Sequence, residues 1–305
     1  MDTESLRLFV LAAEMLNISA AGRTLGMAPA VASSRLAKLE HRVGADLLHR
    51  STRKVSLSAE GEDFLPFARE IIAQEDAAFA ALGNGKAKAT GTLRFAAPST
   101  FAQLYIVPIL PAFLDQHPDL TLDLRLSDTQ FDLIEGSFDL ALRNAPLQDS
   151  SLKGRKLADD SRILCASPAY LAMHGKPETA EDLLQHKLIA FRDQQARTLK
   201  SSDGKTATFD PAAARSQLIV DDGQSLKGAS RAGAGISLNS VWSVHKELTA
   251  GDLVRVLPDF EGTDRHLLWL VYPKTNVLSP KVRVFMDFLI GSLGVHPPWK
   301  DDFAR

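Results

Sequence analysis

A chain of 305 residues, 45% of them apolar and 24% charged, carries enough apolar material for two or three domains with their own cores, more than a nucleic-acid-binding module alone needs. The formal net charge of -2 excludes a nonspecific polycation, and a single cysteine, Cys165, excludes an intramolecular disulfide framework. Cys and His pairs at zinc-ligand spacing are absent, no apolar run approaches the roughly 18 to 20 residues of a membrane helix, and the N-terminus lacks a signal peptide's basic start. No metal, cofactor or membrane partner is therefore expected, and the expected location is cytoplasmic.

Leu6, Phe9, Val10 and Ala13 fall at i, i+3, i+4 and i+7, which predicts a packing helix from Glu4 to about Glu14 with one buried stripe. Asn17 to Pro29 reads as a second short helix and a tight turn. A third helix, from Pro29 to about Val43, puts Ala32, Leu36, Leu39 and Val43 on one face. At about 100° per residue, Ala30, Ser34, Ala37 and His41 then point the opposite way, flanked by Ser33, Arg35 and Lys38. Small and hydroxylic side chains allow close approach to base edges, and Arg35 and Lys38 have the reach for phosphates or guanine. The basic segment from Leu47 to Leu57 alternates like a hairpin and carries Arg50, Arg53 and Lys54. Residues 17–58 hold seven Lys/Arg against two Asp/Glu, so positive charge is concentrated here. Helix, turn, helix and basic wing together point to double-stranded DNA as a partner.

From Ser58 to Leu82 the pattern is again helical, with Phe64, Leu65, Ala68, Ile71, Ile72, Glu75 and Phe79 at three- and four-residue intervals and Pro66 in their midst. Residues 83–91 read as a hinge by composition. Beyond it, Thr92 to Ala97 reads as a strand, Pro98-Ser99-Thr100 as a turn, Phe101 to about His117 as a helix and Leu120 to Leu126 as a second strand. Helix signals at Phe131 to Gly136 and a strand at Phe138 to Arg143 continue the alternation, which predicts an open parallel α/β sheet with ligands at the C-terminal ends of its strands.

Ala21-Gly22, Leu39-Glu40, Leu47 to Arg53 (LLHRSTR) and Leu57 to Gly61 (LSAEG), in this order and spacing, resemble the winged helix-turn-helix of LysR-type transcriptional regulators. The likeness continues in Phe138 to Arg143, Cys165 to Leu171, Gly233 to Ile236 and Val284 to Leu289, and so covers nearly the whole chain. It implies a mixed fold: a mainly α winged helix-turn-helix domain over residues 1–58, a long linker helix and hinge over 59–90, and an effector-binding regulatory α/β region over 91–305. That region is expected to resemble periplasmic binding proteins, with subdomain I at about 91–160 and 269–305, subdomain II at about 161–268, and crossing strands near residues 160 and 268. The likeness also implies pairing of the linker helix with its copy, a homodimer or homotetramer on a dyad operator, and a small-molecule effector in the cleft.

Two departures bear on the DNA end. Ala28 stands where the family usually has a Ser or Thr cap, a loss of roughly 1 kcal/mol at the helix start, and Ser34 stands where an Arg is common, so base preference there is not transferable. Ser33 carries over. For the effector, Ser99, Thr100 and Phe101 open a helix whose free N–H groups suit a carboxylate, with helix capping by Ser99 or Thr100 as the alternative. Arg143 reads as an anion partner or a structural ion pair, and Asp222 and Gly223 match positions where subdomain II faces the cleft. Relatives often carry Trp near Leu199 and Pro near Ser240, so effector specificity is not transferable. Cys165, in an apolar run, reads as packing before redox chemistry. An enzyme is the competing class, but Gly233-Ala234-Gly235 lacks the third glycine and the βαβ start of a dinucleotide site. A solute-binding protein is opposed by the basic N-terminal module.

Overall fold

The computed structural model describes residues 2–50, 55–81, 89–128, 138–144, 152–192, 195–214, 216–263, 266–273, 278–294 and 296–300. The chain forms two compact units, residues 1–89 with 274–283, and residues 90–273 with 284–305. Among the described residues no helix is long and apolar enough to cross a membrane.

The first unit opens with α1 (Thr3–Met15), α2 (Ile18–Thr24) and α3 (Pro29–Val43), followed by a two-stranded wing, β1 (Leu48–Arg50) and β2 (Val55–Leu57), and by α4 (Ala59–Ala81). Side-chain caps start the first two helices, Asp2 accepting from the Ser5 amide at 2.7 Å and Asn17 from the Ala20 amide at 2.9 Å. Their core joins Leu6, Leu8, Phe9 and Ala12 to Ala21, Ala32, Leu36, Leu39, Leu47 and Ala68. The buried stripe of α1 thus runs through Leu8 and Ala12 beside Leu6, Phe9 and Ala13, while Val10 is only half-buried at its margin. On α3 the expected fourth apolar position also differs: Val43, in the last turn, is exposed, and Glu40 is buried instead.

The second unit is built on two larger sheets, with a separate two-stranded parallel pair at Ala190–Phe191 and Ile219–Val220. Its first elements are β3 (Gly91–Ala97) and α5 (Ser99–Phe101), which runs directly into a π turn (Ala102–Ile106), a 3-10 turn (Val107–Ile109) and α6 (Leu110–Gln116). The helix therefore starts two residues before Phe101. Its irregular middle surrounds Pro108 and Pro111, which lack the N–H that a regular helix requires. Then come β4 (Leu120–Leu126), β5 (Leu140–Asn144), beginning two residues later than expected, and β6 (Leu152–Asp160). The expected helix at 131–136 lies outside the described residues, as do 82–88 of the hinge.

After β6 the chain enters the second sheet with β7 (Arg162–Ala166), followed by α7 (Pro168–His174), β8 (Ala190–Phe191), β9 (Arg197–Ser201), β10 (Thr206–Phe209), β11 (Ile219–Val220), α8 (Gly223–Arg231), β12 (Ser237–Ser240), α9 (Val241–Ala250), β13 (Val254–Arg255) and β14 (Phe260–Gly262). It returns to the first sheet with β15 (His266–Pro273), followed by α10 (Pro280–Leu289) and a second π turn (Ile290–Gly294).

Strand order in the first sheet is β4-β3-β5-β15-β6. Only β4, β3 and β5 are mutually parallel; β15 runs antiparallel to both β5 and β6. The second sheet, β10-β9-β14-β7-β12 with β13 on β7, pairs its neighbours antiparallel. The expectation of an open parallel sheet is corrected to one mixed and one antiparallel sheet, because the returning strand β15 enters between β5 and β6. The chain passes between the sheets at Ser161, which separates β6 from β7, and again between Gly262 and His266, so two neighbouring crossings join the two sheets.

Candidate nucleic-acid interface and effector cleft

The turn between α2 and α3 is set by glycine. Gly26 adopts φ +70°, a left-handed conformation that side-chain-bearing residues avoid. A Cβ on Gly22 would stand 2.6 Å from the Ala32 Cβ, so α2 and α3 approach as closely as they do only because position 22 has no side chain. The Met27 amide closes the turn on the Gly22 carbonyl at 2.8 Å. Ala28 caps α3 without any side-chain hydrogen bond, with Pro29 supplying the preset φ of a first helical residue.

With Ala32, Leu36 and Leu39 inward, Ala30, Ser34, Ala37, Lys38 and His41 are exposed, and Ser33 is half-buried on the flank. Arg35, expected to reach phosphates or guanine, is ion-paired at the surface to Glu4 of α1, an exposed pair that contributes little. Arg50 ends β1, in register with Val55 of β2. Arg53 and Lys54 lie outside the described residues.

A residue with no assigned role in the sequence reading holds the wing to α3. The buried Glu40 accepts from the Leu47 and Leu48 amides, both at 3.1 Å, through one carboxylate oxygen. A buried carboxylate is costly unless it is hydrogen-bonded, and these two bonds fix where the wing leaves the recognition helix. Ser58 does the same at the far end of the wing, donating to the Asp46 carbonyl at 2.5 Å and accepting from the Gly61 amide at 2.9 Å. Arg69 of α4 pairs with Glu14 of α1 at 3.3 Å, and Arg7 pairs with Glu75 and Asp76.

In the second unit, α5 and α8 meet. Thr100 is 2% exposed, and its hydroxyl donates to Asp128 Oδ2 at 3.2 Å. The Gly223 amide donates to the same oxygen at 2.8 Å. A Cβ on Gly223 would lie 2.8 Å from Thr100 Oγ1 and 3.2 Å from its Cβ, so the contact tolerates no side chain there. The cap position of α5 belongs to Pro98, which forms no side-chain hydrogen bond, and the Thr100 hydroxyl turns outward to Asp128. Ser99 is half-buried beside it.

Phe101 is fully buried, with ring centroids 5.1 Å from Tyr105, 5.1 Å from Trp242 and 5.7 Å from Trp299. It is a core ring, and its expected place in an effector site is corrected: the helical step that turns Thr100 toward Asp128 turns Phe101 into the aromatic cluster. Asp222 caps α8 through the Ser225 amide at 2.8 Å. Burial works against its charge, but hydrogen bonds from Ser225 and Gln224 hold its carboxyl below the ordinary range. Arg143 sits half-buried in β5, in register with Trp269.

Asp128 went unassigned in the sequence, although a signal existed: a carboxylate two residues beyond β4, at the C-terminal ends of the parallel strands, occupies the usual ligand position of such sheets. Cys165 is fully buried and takes a hydrogen bond from Asn239 Nδ2 at 3.2 Å; burial pushes its thiol up to about 11, which suits packing and not thiolate chemistry.

Residues 3–62 match the family described as bacterial regulatory helix-turn-helix protein, lysR family, and residues 86–294 match the LysR substrate binding domain. The chain belongs to the LysR family of transcriptional regulators. This LysR regulator is 32% identical over 297 residues to an HTH-type transcriptional regulator of Xanthomonas campestris, covering 96% of the chain and 86% of that protein. It is 31% identical to the regulator DmlR of Escherichia coli, covering 96% and 95% of the two chains. Among solved structures it resembles the full-length Vibrio cholerae virulence activator AphB, with TM-score 0.60, 29% identity and coverage of 96% and 100%. It also resembles CrgA of Neisseria meningitidis, with TM-score 0.61, 28% identity and coverage of 96% and 99%. The LysR regulator thus pairs a DNA-binding helix-turn-helix with an effector-binding domain, and its role is regulatory, not enzymatic.

Proposed function

We propose that this LysR regulator binds a dyad operator as a homodimer or homotetramer, with α3 of each copy in a major groove, and that a small organic acid or other anion held between the subdomains modulates this binding. The observation that carries the choice of an acid is the convergence of the Thr100 hydroxyl and the Gly223 amide, one from each subdomain, on a carboxylate. Donors already aimed at a carboxylate oxygen suit the carboxylate of a ligand. At the DNA end, Ala30, Ser33, Ser34 and Lys38 supply base-edge and phosphate contacts, and Arg50, Arg53 and Lys54 contact the backbone through the wing. Self-association is supported by α4, where Phe67 is 61% and Phe79 58% exposed, with exposed Ile71 between them on the same third of the helix.

Titration calorimetry of the full-length protein with a panel of mono- and dicarboxylates, sugars and amines tests the acid. A carboxylate is expected to bind, and Thr100→Val to weaken it at least about tenfold through loss of a charge-assisted hydrogen bond. Binding by a neutral or cationic compound alone, unaffected by Thr100→Val, would overturn the reading.

A further inference from the structure

We propose that Asp128 is a built-in carboxylate latch, reaching from the first subdomain to the α8 N-terminus of the second and filling the seat that an acidic effector takes by displacing it. The inference rests on the cleft reading above and adds its regulation. Asp128 Oδ2 receives both converging donors, Gly223 N–H at 2.8 Å and Thr100 Oγ1 at 3.2 Å. The Gly223 amide is one of the first-turn donors that an α-helix leaves unsatisfied, and it lies at the positive end of a nine-residue helix.

Asp222 caps α8 from its own chain through the Ser225 amide at 2.8 Å and leaves the Gly223 amide to Asp128, which reaches it from the end of β4. The contact is also only half complete. Asp128 Oδ1 is buried and has no hydrogen-bond partner among the described residues. A carboxylate with one oxygen engaged and the other desolvated and unpaired is held less firmly than one fully satisfied, so a ligand that pairs both of its oxygens can replace it. Two carboxylates at one seat repel, which makes occupation by Asp128 and by an effector mutually exclusive. Glycine at 223 lets the two subdomains close on this point, since a Cβ there would press on the Thr100 hydroxyl.

Amide hydrogen exchange of the full-length protein, followed at Gly223, tests the latch. In Asp128→Ala, exchange at Gly223 is expected to rise at least about tenfold. Acetate, an untethered carboxylate, should restore protection, whereas chloride at the same ionic strength should not. Asp128→Asn keeps the shape and removes the charge, and a several-fold rise there keeps the test readable if the alanine variant fails to fold. Unchanged exchange in both variants, or equal effects of acetate and chloride, would overturn the latch. If exchange responds as stated while no carboxylate alters operator binding, Asp128 holds a carboxylate seat as proposed, but its displacement as the regulatory step is overturned together with the organic-acid reading.

Discussion

Ser33 is half-buried on the flank of α3 next to Ala30 and Ala37, and on the proposed docking of α3 in the major groove it leaves no room for a larger group. Ser33→Trp should abolish preference for operator over scrambled duplex while leaving the thermal unfolding of the regulatory unit unchanged; retained preference would remove Ser33 from the interface. A second residue governs stability. Asp160, where the chain crosses between subdomains, is buried and accepts at Oδ2 from Ser240 Oγ at 2.7 Å and Asn144 Nδ2 at 2.8 Å. Burial pushes it up from 3.8 to about 6, opposed by the Arg162 charge and these hydrogen bonds. Below pH 3.8 the folded and unfolded chains both hold this proton. As pH rises through the window from 3.8 to about 6, only the unfolded chain releases it, so stability falls by about 3 kcal/mol and stays lower above that window. Asp160→Asn cannot ionise and should lose this component of the decline in denaturant melts between pH 4.5 and 7; an identical decline in variant and wild type would contradict the assignment.

At the scale of elements, the α2–α3 pair depends on a missing atom. Replacing a helix-interior glycine with alanine ordinarily gains up to about 1 kcal/mol. At Gly22 the new Cβ meets Ala32 Cβ at 2.6 Å, and overpacking of this kind costs about 1–3 kcal/mol, so the clash wins. Gly22→Ala should lower the melting temperature of the DNA-binding unit, and Ala32→Gly in the same chain should recover more than the two single changes predict when added. The aromatic cluster makes a parallel case in the regulatory unit. Trp299 stacks edge-on against Tyr105 at 4.7 Å, and the Tyr105 hydroxyl reaches the Trp242 carbonyl at 2.5 Å, so the last described residues tie α9 to the π turn. Trp299→Ala should destabilise this unit by about 3–5 kcal/mol; a change under about 1 kcal/mol would show the ring to be peripheral.

Helices with strong periodicity were legible from residue types: Pro29 to Val43 could be bounded because a proline opens it and Gly44, at φ +81°, closes it. Leu120 to Leu126 was legible as a strand for its alternation. The wing's attachment through Glu40 was not, since a Glu on a helix reads as solvent-facing until its partners across the turn are known. The course of β15 between β5 and β6 is likewise a long-range pairing with no local signature. Phe101 was misplaced because a residue beside a hydroxyl turn reads as its neighbour in function, whereas one helical step rotates it by about 100° into the core.

For the whole molecule, one unit holds a helix-turn-helix in a segment rich in Lys and Arg, and the other brings a hydroxyl, an amide and a carboxylate together at Thr100, Gly223 and Asp128. In the proposed function the first recognises DNA specifically and an acid at the second alters this recognition. The most direct test is fluorescence anisotropy of the full-length protein on labelled duplex from upstream of its own gene and on scrambled duplex, across a salt series, with and without the carboxylate panel. Tighter binding to the natural duplex is expected, with an affinity that falls with salt and shifts with one carboxylate. Neutralising Arg50 should lower the slope of log affinity against log salt by about one unit. Equal affinity for both duplexes, or operator binding indifferent to every acid, would contradict the account.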